Sequence, residues 1–362
     1  MLEPYAPPPL QQVDRFSGWS VHALYQRRTP VRLTAEEYSK LSAMRAANWD
    51  QERADWHANL PFVRTTQAQA ILDAMGALVS SNRQAVDEAK PALLIDGRAG
   101  FGKSAVMKEG LYEFHRLHEA TRIPEPRSRA RAIDVVHISM RSATNERGLA
   151  ERLRDFLELP PVGKTEREIT KRVLDTIFEC GVKIIAIDEL HFLGQSLAAG
   201  RRMSNYIKDL LNGTPCTFIF GGNDVLASPV FSADRGRPDA AGEQFLSLIE
   251  PHAMQPFTIA TRSDEWVMTL MALEENIRLT RSQRGDLFWT CADVMWAMTG
   301  GRWRALSRLL NRVCVKAIET GQERITPGLF SGLPIDLLAG SDASKYLATL
   351  GDGSWTSLPK DI

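Results

Sequence analysis

The chain has 362 residues, 44 basic against 44 acidic side chains and 44% apolar residues, which fits one large or two modest folded domains and excludes disorder. Zero net charge excludes an overall basic surface, so any nucleic-acid binding must come from local clustering. The four cysteines form no Cys-x-x-Cys pair and read as reduced thiols of a cytoplasmic protein, with no apolar run of membrane-spanning length and no signal segment.

Residues 1 to about 34 carry Pro4, Pro7-Pro8-Pro9 and Pro30 with little periodicity, which predicts an extended arm. Thr34-Ala-Glu-Glu37 has the form of a capping box and opens a helical pattern through Tyr38, Leu41, Met44, Trp49 and Trp56. Arg45, Arg53 and His57 on that pattern are either partner contacts or a solvated face. After the break at Leu60-Pro61, Thr66 to Met75 predicts another helix, leading into an apolar strand that ends at Asp96. A helix over about 103–120 follows, then a Pro/Arg-rich loop, then a buried-type strand over Ala132–Ser139. Asn145–Leu157 and Glu168–Cys180 are amphipathic helices, and further strands are expected at Val182–Glu189, Cys216–Asn223 and His252–Ile259. Near-continuous apolar strands separated by helices predict a parallel sheet covered on both faces. From Arg262 to about Ile325 the pattern is helical, with Trp266, Trp289, Trp296 and Trp303, which marks a second, α-helical domain. The last residues, rich in Gly and Ser, predict a tail.

Between the first strand and its helix lies Gly97-Arg98-Ala99-Gly100-Phe101-Gly102-Lys103-Ser104-Ala105, with the Gly-x4-Gly-Lys-Ser spacing of a phosphate-binding P-loop. Glycines let the backbone turn with positive φ and bring N–H groups to phosphate oxygens, and the helix N-terminus adds its dipole. Lys103 reaches the β- and γ-phosphates, and the Ser104 hydroxyl can ligate Mg²⁺. Ile184-Ile-Ala-Ile-Asp188-Glu189 supplies two acids at the end of a buried strand, which packing alone does not explain. Asp188 is the candidate for the Mg²⁺ shell, and Glu189 the candidate base that positions the attacking water. His191, two residues on, is either a coupling residue or a structural one. Asn223, after Gly221-Gly222, is either a sensor 1 side chain for the γ-phosphate and water or a turn former. In the helical domain Thr299-Gly-Gly-Arg302-Trp-Arg304 opens a helix, and Arg302 or Arg304 is the candidate sensor 2 arginine.

These features resemble the AAA+ ATPases that regulate DNA transposition, the TniB, TnsC, MuB and IstB proteins, and most nearly TniB and TnsC. The likeness rests on Gly97–Ser104, the run Ile187-Asp188-Glu189-Leu190-His191-Phe192-Leu193, the Gly221-Gly222 strand end, and Thr299-Gly-Gly followed by Leu306-Ser-Arg-Leu-Leu310 and Ala317-Ile-Glu-Thr-Gly321. The resemblance implies an α/β P-loop AAA+ core, with a five-stranded parallel sheet and helices on both faces, followed by a small α-helical lid domain. The expected divisions are an N-terminal arm and helix over 1–59, the nucleotide-binding domain over 60–261, the lid over 262–330 and a tail over 331–362. It further implies an ATPase with ATP and Mg²⁺ as cofactors, oligomerising as a ring or helical filament on double-stranded DNA. Such proteins mark a target and recruit or activate a transposase, in some systems on instruction from a targeting protein.

On this likeness, Arg141, Arg147, Lys164 and Thr165 are the candidates to grip the DNA backbone without reading sequence. Where the family carries an Arg-Phe pair after the sensor 1 strand, this chain has Gln244-Phe245; Arg235 and Arg237 are the nearby candidates for the arginine supplied to a neighbour. Without such a finger, hydrolysis would be slow and nucleotide would act mainly in assembly. The alternative is a signalling or defence ATPase that switches a protein–protein interface. A helicase or clamp loader is disfavoured, because no helicase motif beyond the shared core and no zinc or collar domain is visible.

Overall fold

The computed structural model of the chain describes residues 11–82, 90–121, 131–140, 145–163, 165–193, 196–232, 246–258, 264–335 and 337–351. Its first elements are α1 (Phe16–Leu24), α2 (Ala35–Ser39), α3 (Ala43–Ala58), α4 (Thr66–Ser81), β1 (Ala92–Asp96) and α5 (Lys103–Thr121). Then come β2 (Val135–Ser139), α6 (Glu146–Phe156), α7 (Glu166–Cys180), β3 (Ile184–Asp188), α8 (Leu197–Gly213), β4 (Thr217–Gly222), α9 (Pro229–Ser232) and β5 (Ile249–Ala253). The last are α10 (Asp264–Glu274), α11 (Ala292–Thr299), α12 (Trp303–Glu319) and α13 (Leu337–Gly351). The chain divides into two compact units, Pro9–Tyr25 with Gln67–Met254, and Gln26–Thr66 with the described residues from Gln255 on. No helix among the described residues is long and apolar enough to cross a membrane.

The first unit is built on a five-stranded sheet of order β2-β3-β4-β1-β5, parallel at every pairing. Buried residues run consecutively along β1 to β4. Because side chains alternate between faces, consecutive burial means that helices cover both sides of the sheet. The β-branched runs Val135-Val136 and Ile184-Ile185 suit extended backbone packed on both faces. The last strand differs from the expected His252–Ile259. β5 lies at the sheet edge over Ile249–Ala253, where the partly exposed pattern and Pro251 are tolerated. Phe257, within the range expected for that strand, instead belongs to the core of the helical unit.

The extended arm expected over residues 1 to about 34 is not what the described part shows. Phe16, Trp19 and Ala23 follow helical spacing and are all buried. Trp19 packs on Tyr112 and His115 of α5 and on Phe156 of α6, at ring-centroid distances of 5.4, 5.2 and 6.2 Å. Its indole N–H donates to His137 Nδ1 at 3.2 Å. Burial lowers the pKa of His137 to about 4, so the ring is neutral and free to accept. A nine-residue helix is marginal alone; docking of this aromatic face stabilises it.

In the helical unit, α3 is tied down by side chains expected to face either a partner or solvent. Arg53 is 1% exposed, stacks on Trp49, and forms a two-pronged pair with Glu323 at 2.7 and 2.9 Å. His57 accepts from the Arg278 N–H at 2.9 Å, and burial, reinforced by Arg53 and Arg278, lowers its pKa to about 3. The tail expectation also changes: α13 packs on α11, with Tyr346 against Trp296 at 5.0 Å. The Gly-Gly of residues 300–301 has a packing reason. Gly301 has φ +67°, and a Cβ there would lie 2.0 Å from the Phe257 carbonyl oxygen.

Candidate active site

Strand register brings three chain ends to one edge of the sheet. Ile187 is paired with Phe220, Ile95 with Gly221, and Asp96 with Gly222, so β1, β3 and β4 finish side by side. The segments that follow them are Gly97–Ser104, Glu189–Leu193 and Asn223–Ala227, and such carboxyl edges are where open α/β sheets hold ligands.

The P-loop leaves β1 through Gly97, Gly100 and Gly102, with φ of 147°, 88° and 102°. At Gly97 a Cβ would lie 2.5 Å from the Met254 carbonyl oxygen, so no larger residue fits without moving the strand ends. Asp96, to which the sequence pattern assigns no role, braces this turn: its Oδ1 accepts from the N–H groups of Gly97 and Val225, both at 2.9 Å. An acid placed directly before the first loop glycine was the available signal. Arg98 is exposed, Ala99 and Gly100 are half-buried, and Phe101 is buried. The first intrahelical bonds of α5 run from Ala105 and Val106 to the Gly102 carbonyl, so the helix starts at the loop and turns its first N–H groups toward it. Positive φ, a helix start and these N–H groups together make a cradle for phosphate.

Lys103 is 6% exposed, and its Nζ donates to the Arg98 carbonyl at 2.8 Å and to Asn223 Oδ1 at 2.7 Å. The structure thus joins the P-loop lysine to the sensor 1 candidate directly. Asp188 is 4% exposed, and its Oδ1 accepts from the Glu189 N–H at 2.8 Å. Its carboxylate and the half-buried Ser104 hydroxyl are hard oxygen donors of the kind Mg²⁺ takes, so the residues present fit that ion. Glu189 sits in the left-handed region at φ 59°, a conformation that costs a non-glycine residue about 1 kcal/mol and recurs at functional sites.

His191 lies between these groups. Its Nδ1 accepts from the Asn223 backbone N–H at 3.2 Å, and its Nε2 is 3.4 Å from Glu189 Oε2. Gly221 and Gly222 leave room for Asp188 and for His191, respectively. A Cβ on Gly221 would lie 3.0 Å from Asp188 Oδ1, and one on Gly222 would lie 3.2 Å from His191 Nδ1.

Arg302 is the N-cap residue of α12 and Arg304 is exposed in its first turn, both within the helical unit. Arg147 is half exposed and pairs with Glu151 at 2.9 Å. Thr165 caps α7: its Oγ1 accepts from the Glu168 N–H, while Glu168 accepts from the Thr165 N–H. Thr165→Ala should therefore lower stability by about 1 kcal/mol in denaturant titration, with Thr165→Ser near the parent value. A variant as stable as the parent would remove the capping role. Arg141, Lys164, Arg235, Arg237 and the Gln244-Phe245 pair lie outside the described residues.

A family model described as "Bacterial TniB protein" matches residues 53–235, half of the chain. No curated protein matches. Among solved structures, the ORC2 protein of Aeropyrum pernix, in ADPNP–ADP complexes, is similar with a TM-score of 0.56 at 13% identity, covering 76% of this chain and 70% of that one. The ORC1 protein of the same organism in complex with DNA gives 0.52 at 15% identity over 84% and 72%. The Drosophila ORC bound to DNA gives 0.51 at 12% identity over 84% and 68%. At these identities the likeness establishes a shared fold.

Proposed function

The chain belongs to the TniB family, and from that premise we propose that it is an ATP-dependent, DNA-binding AAA+ regulator of transposition. It assembles on double-stranded DNA, marks a target and recruits or activates a transposase. The observation that carries the nucleotide half of this reading is the convergence of Lys103, Asn223, Asp188, Glu189 and the P-loop at one sheet edge.

In this reading the N–H groups at the start of α5 and the Lys103 ammonium bind and neutralise the phosphate oxygens. Asn223 orients the attacking water, and Glu189 accepts its proton. Ser104 and Asp188 would hold Mg²⁺, which supplies further charge neutralisation at the phosphates. These are the parts of phosphoryl transfer that rest on positioning and electrostatics rather than on covalent chemistry.

The DNA half rests on family membership, and two proteins of similar fold are described in complexes with DNA. A chain of zero net charge can still hold duplex if each protomer contributes one or two phosphate contacts along an assembly, because such contacts add up over subunits. The test is filter binding and electron microscopy of the full chain with ATP and duplex of arbitrary sequence. Rings or filaments on DNA that require ATP and weaken with salt are expected. A protein that stays monomeric and leaves DNA unbound in ATP would overturn the proposal.

A further inference from the structure

The contacts around His191 define a wired path. The Asn223 backbone N–H donates to His191 Nδ1, so in the neutral ring Nδ1 is the acceptor and Nε2 carries the hydrogen. Nε2 lies 3.4 Å from Glu189 Oε2, well beyond the ~2.7–2.9 Å of a strong charge-assisted bond. The Asn223 side-chain nitrogen sits 3.5 Å from the same Nε2. Asn223 is held there because its Oδ1 accepts from Lys103 Nζ at 2.7 Å. The ring is fixed further by Phe192, whose centroid lies 4.3 Å away.

We propose that His191 is a positioning residue that orients the Glu189 carboxylate, and that Lys103 controls the contact through the Asn223 amide. The proposal rests on the assignment of Glu189 as the base. In the nucleotide-free chain Lys103 keeps the Asn223 amide beside His191 and the His191–Glu189 contact long. When phosphate oxygens claim Lys103, the amide is released and the Nε2–H closes on the carboxylate. The base is then set only after the P-loop is filled. Gly222 is the structural condition for this path, since a Cβ there would lie 2.4 Å from Val225 Cγ2 and crowd Leu190 N and His191 Nδ1 at 3.1 and 3.2 Å.

The experiment measures single-turnover ATP hydrolysis and nucleotide affinity for the full-length parent, His191→Ala, His191→Gln, His191→Asn and Glu189→Gln. Removing a partner that orients a reacting group costs about tenfold to hundredfold in rate, and that loss is expected for His191→Ala with affinity unchanged. His191→Gln can place an amide N–H near the Nε2 position and should recover activity; the shorter Asn should not. Hydrolysis by His191→Ala at the parent rate, equal rescue by Asn and Gln, or a parallel loss of affinity would each overturn the positioning role. Unimpaired hydrolysis by Glu189→Gln would instead remove the base assignment. A readout independent of turnover is the imidazole ¹⁵N spectrum of the nucleotide-free protein: the Nε2–H tautomer is expected at His191, and the Nδ1–H tautomer would overturn the wiring even in a protein that does not hydrolyse ATP.

Discussion

Lys103→Ala should weaken ATP binding about a thousandfold, equivalent to ~4 kcal/mol, while leaving the protein folded. The ammonium is poised at the mouth of the loop by two neutral acceptors, the Arg98 carbonyl and Asn223 Oδ1, and phosphate oxygens are stronger partners for it than either. Truncation removes these charge-assisted bonds and leaves only the helix N-terminus and backbone N–H groups to hold the triphosphate. The effect on stability is small by comparison. Asn223 is half-buried, so its freed amide oxygen can turn to water, and alanine favours the first turn of α5. Titration calorimetry with ATP, beside a thermal melt, separates the two effects. Parent-like affinity in the folded variant would take the P-loop out of the account, and a collapsed melt would instead assign Lys103 a structural role.

How much of this was legible before the structure varied from element to element. β1, β3 and β4 read directly from apolar runs ending in Asp96, in Asp188-Glu189 and in Gly-Gly, because a strand buried on both faces has little freedom in its residue types. α5 carried its own start signal in the P-loop, whereas the Thr165–Glu168 capping box of α7 went unread, because the sequence reading assigns Thr165 to DNA and starts the helix at Glu168. α1 was hidden by the prolines around it, and its stripe of Phe16, Trp19 and Ala23 gains meaning only when α5 and α6 offer an aromatic surface. Arg53 and His57 misled for a related reason. They are polar, yet their partners Glu323 and Arg278 lie more than two hundred residues on, and no local pattern announces a buried pair at that separation. The acids of the site were identified by type and position. The wiring was not: that Asn223 touches both Lys103 and His191 follows from strand register, which a sequence does not print.

Glu189→Gln should leave nucleotide affinity near the parent value and lower single-turnover hydrolysis by about a hundredfold to ten-thousandfold, the range that a general base contributes. The substitution is close to isosteric. The amide oxygen can still accept from His191 Nε2, and the backbone N–H still donates to Asp188 Oδ1, so the left-handed turn at residue 189 and the shape of the cradle persist. What disappears is basicity: an amide does not take the proton from the attacking water. A lesion confined to the chemical step predicts a second effect under the proposed function. If hydrolysis releases the protein from DNA, the lifetime of ATP-dependent DNA complexes should lengthen in proportion to the lost rate, as read by dissociation after dilution into competitor duplex. Slow hydrolysis with an unchanged lifetime would separate DNA release from the chemistry at Glu189, and hydrolysis at the parent rate would show that the base is another group. The contrast with Lys103→Ala is diagnostic, because that variant should never load nucleotide, whereas Glu189→Gln should load it and keep it.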